Sequence, residues 1–299
     1  MSQNKLTPPP IIPREKLDFD LDGDIPKHWL NNDPFKTRFF DAMSTLFPVG
    51  EKFFITCVRD FKDRIQDPKL LEDIKDFTRQ EAQHGMLHTR YNNRLKAQGI
   101  AVDAILQRQE HRLFGIIRKR LSREFTLGIT TASEHITSIM ADCFVERPEI
   151  FEGADHRMRA LYVWHAMEEM EHKGVAYDVL TDVAKSSYLN RIGSMLLVTL
   201  IFPYHVYRIM AHMLQADGFS GWERTKIWAK GLWWLYKPGG VFMPILAKYF
   251  AYLKPGFHPW QTPVVASYEP WLRLLKETGD PVEAGNRLVA HTGQNMAHA

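Results

Sequence analysis

The sequence predicts an all-α protein, a four-helix bundle with additional C-terminal helices. Three observations carry that expectation. Apolar residues recur at three- and four-residue steps over long stretches. The pairs Asp33-Pro34 and Asp67-Pro68 each set a capping carboxylate before a proline at the first helical position. Nothing in the first 185 residues alternates apolar and polar with period two over a convincing length.

The first helix is expected over residues 34–65, with Phe40, Met43, Phe47, Phe54, Val58, Phe61 and Ile65 along its seam and Pro48 kinking it or ending its first half. The second, residues 68–98, stops at Gly99, and its seam runs Ile74, Phe77, Glu81, His84, His88, Tyr91. After a connection at residues 99–120, a third helix over 122–145 carries Leu127, Thr131, Glu134, Ser138, Ala141 and Val145. A fourth over 155–184 carries Leu161, His165, Glu169, His172, Ala176 and Val179. Residues 1–33 read as an extended, Pro-rich arm, and residues 186–299, broken by Pro203, Gly218, Pro238, Gly239, Gly240 and Pro244, as a helical extension packed on the bundle.

Polar groups replace apolar ones in the middle of these seams. Glu81-Ala82-Gln83-His84 and Glu169-Met170-Glu171-His172 are two copies of Glu-x-x-His, and each follows a lone seam glutamate on the preceding helix, Glu51 and Glu134. Residues three apart on a helix lie one turn apart on nearly one face, so a carboxylate and an imidazole at that spacing can grip a cation together. A glutamate from each of two helices plus Glu-x-x-His from the other two is the ligand set of ferritin-like di-iron and di-manganese bundles. No Lys or Arg stands on those stripes, and four carboxylates buried together without partners are costly or must take up protons. Divalent cations remove that cost. The expected metal ligands are therefore Glu51, Glu81, His84, Glu134, Glu169 and His172, with His165, one turn before Glu169, as a seventh; the four glutamates are also the expected catalytic groups. Glu81 and one of Glu134 or Glu169 would bridge, with Glu51, His84 and His172 terminal.

Around that set, His88 is expected beside the ligands rather than among them. Glu168 competes with Glu169 for the seam but lacks the three-residue step to His172. His135, Glu171 and Lys173 should be solvated or salt-bridged elsewhere, and Tyr91, Tyr177 and Asp142 are candidates to orient ligands.

Composition excludes other classes. With 38 basic and 35 acidic residues the net charge is +3 and the charges are interspersed, so no nucleic-acid footprint stands out. Cys57 and Cys143 form no C-x-x-C pair and are expected as buried packing residues in a reducing cytoplasm. The N-terminus lacks the apolar run of a secretory signal. The apolar stretch 192–204 falls short of the about 20 residues that cross a bilayer, is interrupted by Pro203 and His205, and reads as a buried helix. A membrane-surface contact involving Arg208, Trp233, Trp234 and Tyr236 is the lesser alternative. Trp228, Trp233, Trp234, Tyr249 and Trp260 are expected in the core rather than lining a pocket over the metals.

With these residues in hand, the chain resembles the ferritin-like family described as predicted metal-dependent hydrolases, through Phe47-Pro48-Val49-Gly50-Glu51-Lys52-Phe53-Phe54, Arg79-Gln80-Glu81-Ala82-Gln83-His84, Ala132-Ser133-Glu134-His135 and the run from Trp164 to Lys173. The likeness extends to Pro255-Gly256-Phe257-His258-Pro259-Trp260. The ligand order is also similar to that of di-iron arylamine N-oxygenases, in which a third histidine precedes the last Glu-x-x-His as His165 does here. The leading expectation is an oxidoreductase holding two iron ions, using dioxygen to oxidise an amine or a C–H bond of a small organic substrate, with electrons from a partner protein. The alternative is a metal-dependent hydrolase on manganese, zinc or iron, with a metal-activated water. Iron storage or ferroxidase activity ranks third, because a chain with about a hundred residues beyond the bundle suits a monomer or homodimer better than a compact shell.

Overall fold

The computed structural model describes residues 6–297, with side chains through residue 290; residues 1–5 of the expected arm lie outside them. It is all-α: no strand forms among the described residues, only an isolated bridge between Leu30 and Ala154.

Helix α1, Pro34–Arg59, begins where Asp33 accepts from the amides of Phe35 and Lys36. It runs on through Pro48, where a kink or an end of its first half was expected, and does not end there. Proline has no N–H for the carbonyl four residues back. Here that carbonyl, on Ser44, accepts instead from Asn92 Nδ2 at 3.0 Å, so a neighbouring helix supplies the missing donor. Asn92→Leu strands the Ser44 carbonyl in the core and should cost about 1–3 kcal/mol, read as a lower urea midpoint with unchanged slope. The helix ends at Arg59, short of residue 65, and a 3₁₀ turn Lys62–Arg64 leads to α2, Pro68–Ala97. Asp67 caps α2, and Gly99, at φ +83°, takes the left-handed turn after it as expected.

The connection 99–120 is itself helical: α3, Val102–Glu110, passes into a π-helical turn, His111–Ile117. Helix α4, Arg123–Glu146, is capped by Ser122, and α5, His156–His172, by Asp155. The single helix expected over 155–184 breaks after His172. The Trp260 indole lies against Gly174, where a side chain would collide, and Lys173 Nζ is drawn to the Thr262 and Pro263 carbonyls. Beyond the break the chain resumes as a short helix, Val175–Asp178, and a π-helical turn, Val179–Val183.

Helix α6, Tyr188–Ala216, corrects the reading of residues 192–204. The apolar stretch is part of one uninterrupted 29-residue helix, long and apolar enough by length and composition to cross a membrane, and only 28% of its most apolar window is buried. One stripe, including Met195, Val198, Val206 and Met210, packs on α1 and α4, while Leu189 and Leu200 on the other side are 78% and 73% exposed. A straight helix can bury only one face against two neighbours. The chain continues through α7, Gly221–Tyr236; α8, Leu246–Tyr252; α9, Tyr268–Thr278; and α10, Pro281–Ala297, which packs along α5.

One apolar cluster takes Phe19 and Trp29 from the N-terminal arm, Phe40 from α1, Trp164 from α5, Met210 from α6 and Trp271 from α9. Arm and C-terminal helices thus close the same core as the first helices. Cys57 and Cys143 are buried and unpaired.

Candidate metal centre

Helices α1, α2, α4 and α5 pack around a common interior, and the seven expected ligands all face it. Glu51 comes from α1, Glu81 and His84 from α2, Glu134 from α4, and His165, Glu169 and His172 from α5; every one is buried. Gly85 permits the approach of α1 to α2, since a Cβ there would stand 3.2 Å from Glu51 Oε2.

Their donor atoms fall into two groups, Glu51 with His84 and His165, and Glu81 with Glu169 and His172, each within 4.8 Å of one another. Glu134 Oε2 adds to the second, 3.4 Å from His172 Nε2. Glu81 Oε1 lies 3.1 Å from His172 Nε2 and 4.0 Å from His84 Nδ1. Glu169 spans three imidazoles: Oε1 is 3.1 Å from His165 Nε2 and 4.0 Å from His84 Nδ1, and Oε2 is 3.8 Å from His172 Nε2.

The outer nitrogen of each histidine fixes which nitrogen is free inside. His84 Nε2–H donates to Glu168 Oε2 at 3.1 Å, and His172 Nδ1–H to Gln80 Oε1 at 3.0 Å. His165 Nδ1–H donates to His88 Nε2 at 2.8 Å, His88 Nδ1–H to Ser44 Oγ at 2.9 Å, and Ser44 Oγ–H to Asn92 Oδ1 at 3.0 Å. Three imidazoles held by the far nitrogen, with the near nitrogen aimed at carboxylates, is the arrangement that metal-binding histidines adopt. The inner atoms complete the picture: both oxygens of Glu51, Glu81 and Glu134, together with His84 Nδ1 and His172 Nε2, are buried without a hydrogen-bond partner. Buried polar atoms are otherwise almost always paired. This donor set fits two divalent cations.

The charge balance agrees. Burial, then the repulsion of Glu81, Glu169 and Glu134, pushes the Glu51 carboxyl well above the usual carboxylate range, and burial beside Glu81 does the same to Glu134. Burial also raises Glu169, but the adjacent His165 and His172 imidazoles outweigh it and hold that carboxyl well below its usual value. Burial lowers His172, yet Glu169, Glu81 and Glu134 together raise it well above a free imidazole. Without cations, therefore, Glu51, Glu134 and His172 bind protons more tightly folded than unfolded. Their contribution is complete below the unfolded pKa values and is lost as pH rises through the folded ones. The chelated protein should thus lose thermal stability as pH rises above the unfolded carboxylate value of about 4.3, and metal binding should release protons and tighten as pH rises. Calorimetric melting with and without chelator, plus titrations in buffers of different ionisation enthalpy, measures both.

Several supporting residues lay outside the expectation, among them Thr137, whose Oγ1 donates to Glu169 Oε2 at 2.6 Å. Arg14, from the arm, reaches in with Nη1 2.9 Å from Glu168 Oε1 and Nη2 2.6 Å from Glu171 Oε1. Gln80 holds His172 and donates to Glu171 Oε2 at 2.6 Å. Glu168 is buried and shared by Arg14, His84 and Trp164 Nε1; burial pushes its carboxyl up to about 8 against the pull of Arg14. Only the position of Gln80, one residue before Glu81, hinted at its role; an arginine in an aperiodic arm gave no signal. Glu171 is salt-bridged as expected but fully buried, also accepting from Tyr268 Oη at 2.6 Å. His135 and Lys173, expected in solvent or in salt bridges, are buried: His135 packs on Tyr252, and Lys173 donates to backbone carbonyls. None of the three proposed orienting groups touches a ligand. Tyr91 bonds Asp41, Tyr177 bonds the Phe257 carbonyl, and Asp142 pairs with Lys248.

A family model described as predicted metal-dependent hydrolase matches residues 13–263. The chain belongs to that family. The matched span contains every residue of the centre and Arg14 as well, and of the resemblances drawn from the motifs around Glu51, Glu81, Glu134 and Glu169 it bears out the one to predicted metal-dependent hydrolases. No curated protein and no solved structure matches the chain.

Beside the centre lies a pocket of about 480 Å³, walled by α1, the α3–π segment, α4 and α6, with Glu51 on its inner side and Phe47, Phe53, Phe54 and Phe202 among its apolar lining. None of Trp228, Trp233, Trp234, Tyr249 or Trp260 lines it, in keeping with their expected place away from the metals, although Trp233 is 65% exposed rather than in the core.

Proposed function

We propose that this protein is a two-metal enzyme that hydrolyses a small organic substrate delivered to Glu51 through the apolar pocket. The observation that carries the reading is the set of buried, unpartnered donor atoms on Glu51, Glu81, His84, Glu134 and His172, converging in a chain whose family is that of predicted metal-dependent hydrolases. Glu51, His84 and His165 would hold one cation and Glu134 and His172 the other, with Glu81 and Glu169 facing both. Two such cations supply a water of lowered pKa and polarise the scissile group. The protein's own part is to fix ligand orientation through Glu168, Gln80 and His88, to keep bulk water out with the Phe47, Phe53 and Phe54 walls, and to offer Glu51 as the carboxylate nearest an entering substrate.

A second reading, oxygen-dependent oxidation on two iron ions, is favoured by one observation: four carboxylates beside a pocket lined mainly by hydrocarbon suit iron and an apolar substrate more than a polar ester or amide. In that case the overall fold and ligand set would be ferritin-like and similar to di-iron N-oxygenases, and a partner protein would supply electrons. One experiment separates the two. Protein purified without added metal is analysed for metal content, assayed against p-nitrophenyl esters with and without chelator, and exposed to oxygen after anaerobic reduction. Hydrolysis expects two cations per chain, chelator-sensitive ester cleavage and an optical spectrum unmoved by oxygen. Iron with an oxygen-dependent spectrum and no cleavage overturns it.

A further inference from the structure

The pocket beside the centre has opposite chemistry at its two ends. Its inner wall carries Glu51, which is 3% exposed, and its middle is apolar. Its outer rim carries Arg108 and Arg112 from the α3–π segment and His205, Arg208 and His212 from α6. No acidic side chain pairs with any of the three arginines among the described residues. Arg108 Nε donates to the Ala104 carbonyl, Arg112 Nη1 sits 3.0 Å from His205 Nδ1, and Arg208 Nη1 donates to Tyr204 Oη at 3.0 Å. Burial and the adjacent Arg112 and Arg208 lower His205 to about 4, so it accepts from Arg112 as a neutral ring and leaves that charge uncompensated. Elsewhere Arg14, Arg38, Arg79, Arg90, Arg118 and Arg157 sit on carboxylates, while Arg64, Arg159 and Arg191 bond carbonyl oxygens at scattered places; among the described residues, only at this rim do arginines without a carboxylate gather beside a pocket.

We propose that the pocket binds an anionic amphiphile, its carboxylate or phosphate on Arg112 and Arg208 at the rim and its alkyl chain lying along the apolar interior toward Glu51. The two ends set the direction. A headgroup is attracted by guanidinium groups without a carboxylate outside and would lose its hydration in the apolar middle, while the volume lies within the roughly 300–1,000 Å³ of pockets that enclose small ligands. The exposed apolar flank of α6, with Leu196 and Leu200, gives the chain an approach beside the rim. The proposal names a substrate class for the oxygen-dependent reading of the two-metal centre, since an alkyl chain beside Glu51 offers C–H bonds and no hydrolysable group, and it rests on that reading only for what happens next to Glu51.

The test is calorimetric titration of the full-length protein as purified, using dodecanoate, dodecyl phosphate and dodecanol below their aggregation limits. Both anions should bind at least tenfold more tightly than the alcohol. Arg112→Gln/Arg208→Gln should weaken the anions tenfold or more and leave dodecanol within twofold, whereas Leu197→Trp, which fills the pocket, should weaken all three. Equal affinity for dodecanoate and dodecanol, or an unchanged double variant, overturns the proposal. Flotation with phosphatidylglycerol vesicles forms the second arm: vesicle binding without dodecanoate binding makes the arginines a membrane contact and also overturns it. Metal content is measured on the same samples. Selective anion binding without metal would sink the two-metal reading and leave this one standing; full metal without selectivity would do the reverse.

Discussion

Glu81→Ala protein should purify with less than half the wild-type metal, with affinity for the remaining cation down at least about 100-fold, because a ligand matters more than the outer partners whose loss costs 10–100-fold. Glu81 faces imidazoles of both donor groups, His172 at 3.1 Å and His84 at 4.0 Å, so its removal opens both. His172→Ala should behave alike and additionally leave Gln80 without its acceptor role. The signature that separates lost ligation from lost folding lies in the metal-free state. There Glu81 repels Glu51 and Glu134 but attracts a protonated His172, so the two effects oppose, and deleting its carboxylate should shift the melting of the chelated protein far less than that of the loaded protein. What disappears is the added stability on loading, about 2.7 kcal/mol at a hundredfold excess over Kd. Mass-spectrometric metal analysis and melting curves with and without chelator decide it. A variant retaining two cations per chain would remove the centre's central ligand from the argument.

Arg14→Met should be the most damaging single change outside the ligands. Its guanidinium lies between Glu168 and Glu171, whose side chains are fully buried, and among the described residues no other Lys or Arg pairs with them. Stripping one partner from a buried ion pair costs about 3–5 kcal/mol. At about 2–4 °C per kcal/mol for chains of this general size, melting should fall by roughly 6–20 °C. Glu168 also positions His84 and Glu171 positions Gln80, which holds His172, so metal affinity should fall about 10–100-fold in the same variant. Arg14→Lys should recover part of the stability and little of the affinity, since an ammonium cannot fork between two carboxylates. Unchanged melting and metal affinity in Arg14→Met would show the arm to be a passive strap.

The helices and their starts were legible in local chemistry. Asp33-Pro34, Asp67-Pro68, Ser122 and Asp155 open helices because capping satisfies amides that the chain itself leaves free, and Gly99 closes one because it tolerates positive φ. The misreadings share one cause, which is that a partner distant in sequence changed the local balance. Asn92 mends α1 at Pro48, Trp260 and the Thr262 and Pro263 carbonyls end α5 at His172, and α1 and α4 cover one stripe of α6 and leave most of its apolar window exposed. The pocket wall at residues 102–117 was invisible as a wall because its irregular helical period hides the stripe that faces inward.

Which side chains would meet was written into the sequence, for three- and four-residue spacing alone puts Glu51, Glu81, His84, Glu134, His165, Glu169 and His172 on inward stripes. How they divide was not. His84 groups with Glu51 and His165 rather than with Glu81 of its own motif, and Glu81 joins Glu169 and His172 instead. Helix periodicity fixes the direction of a side chain about its own axis, whereas the offset and crossing of two helices fix which ends of those side chains touch. That offset is set by packing at remote points, Gly85 under Glu51, Arg14 between Glu168 and Glu171, and Trp260 against Gly174, and so it belongs to the folded chain alone.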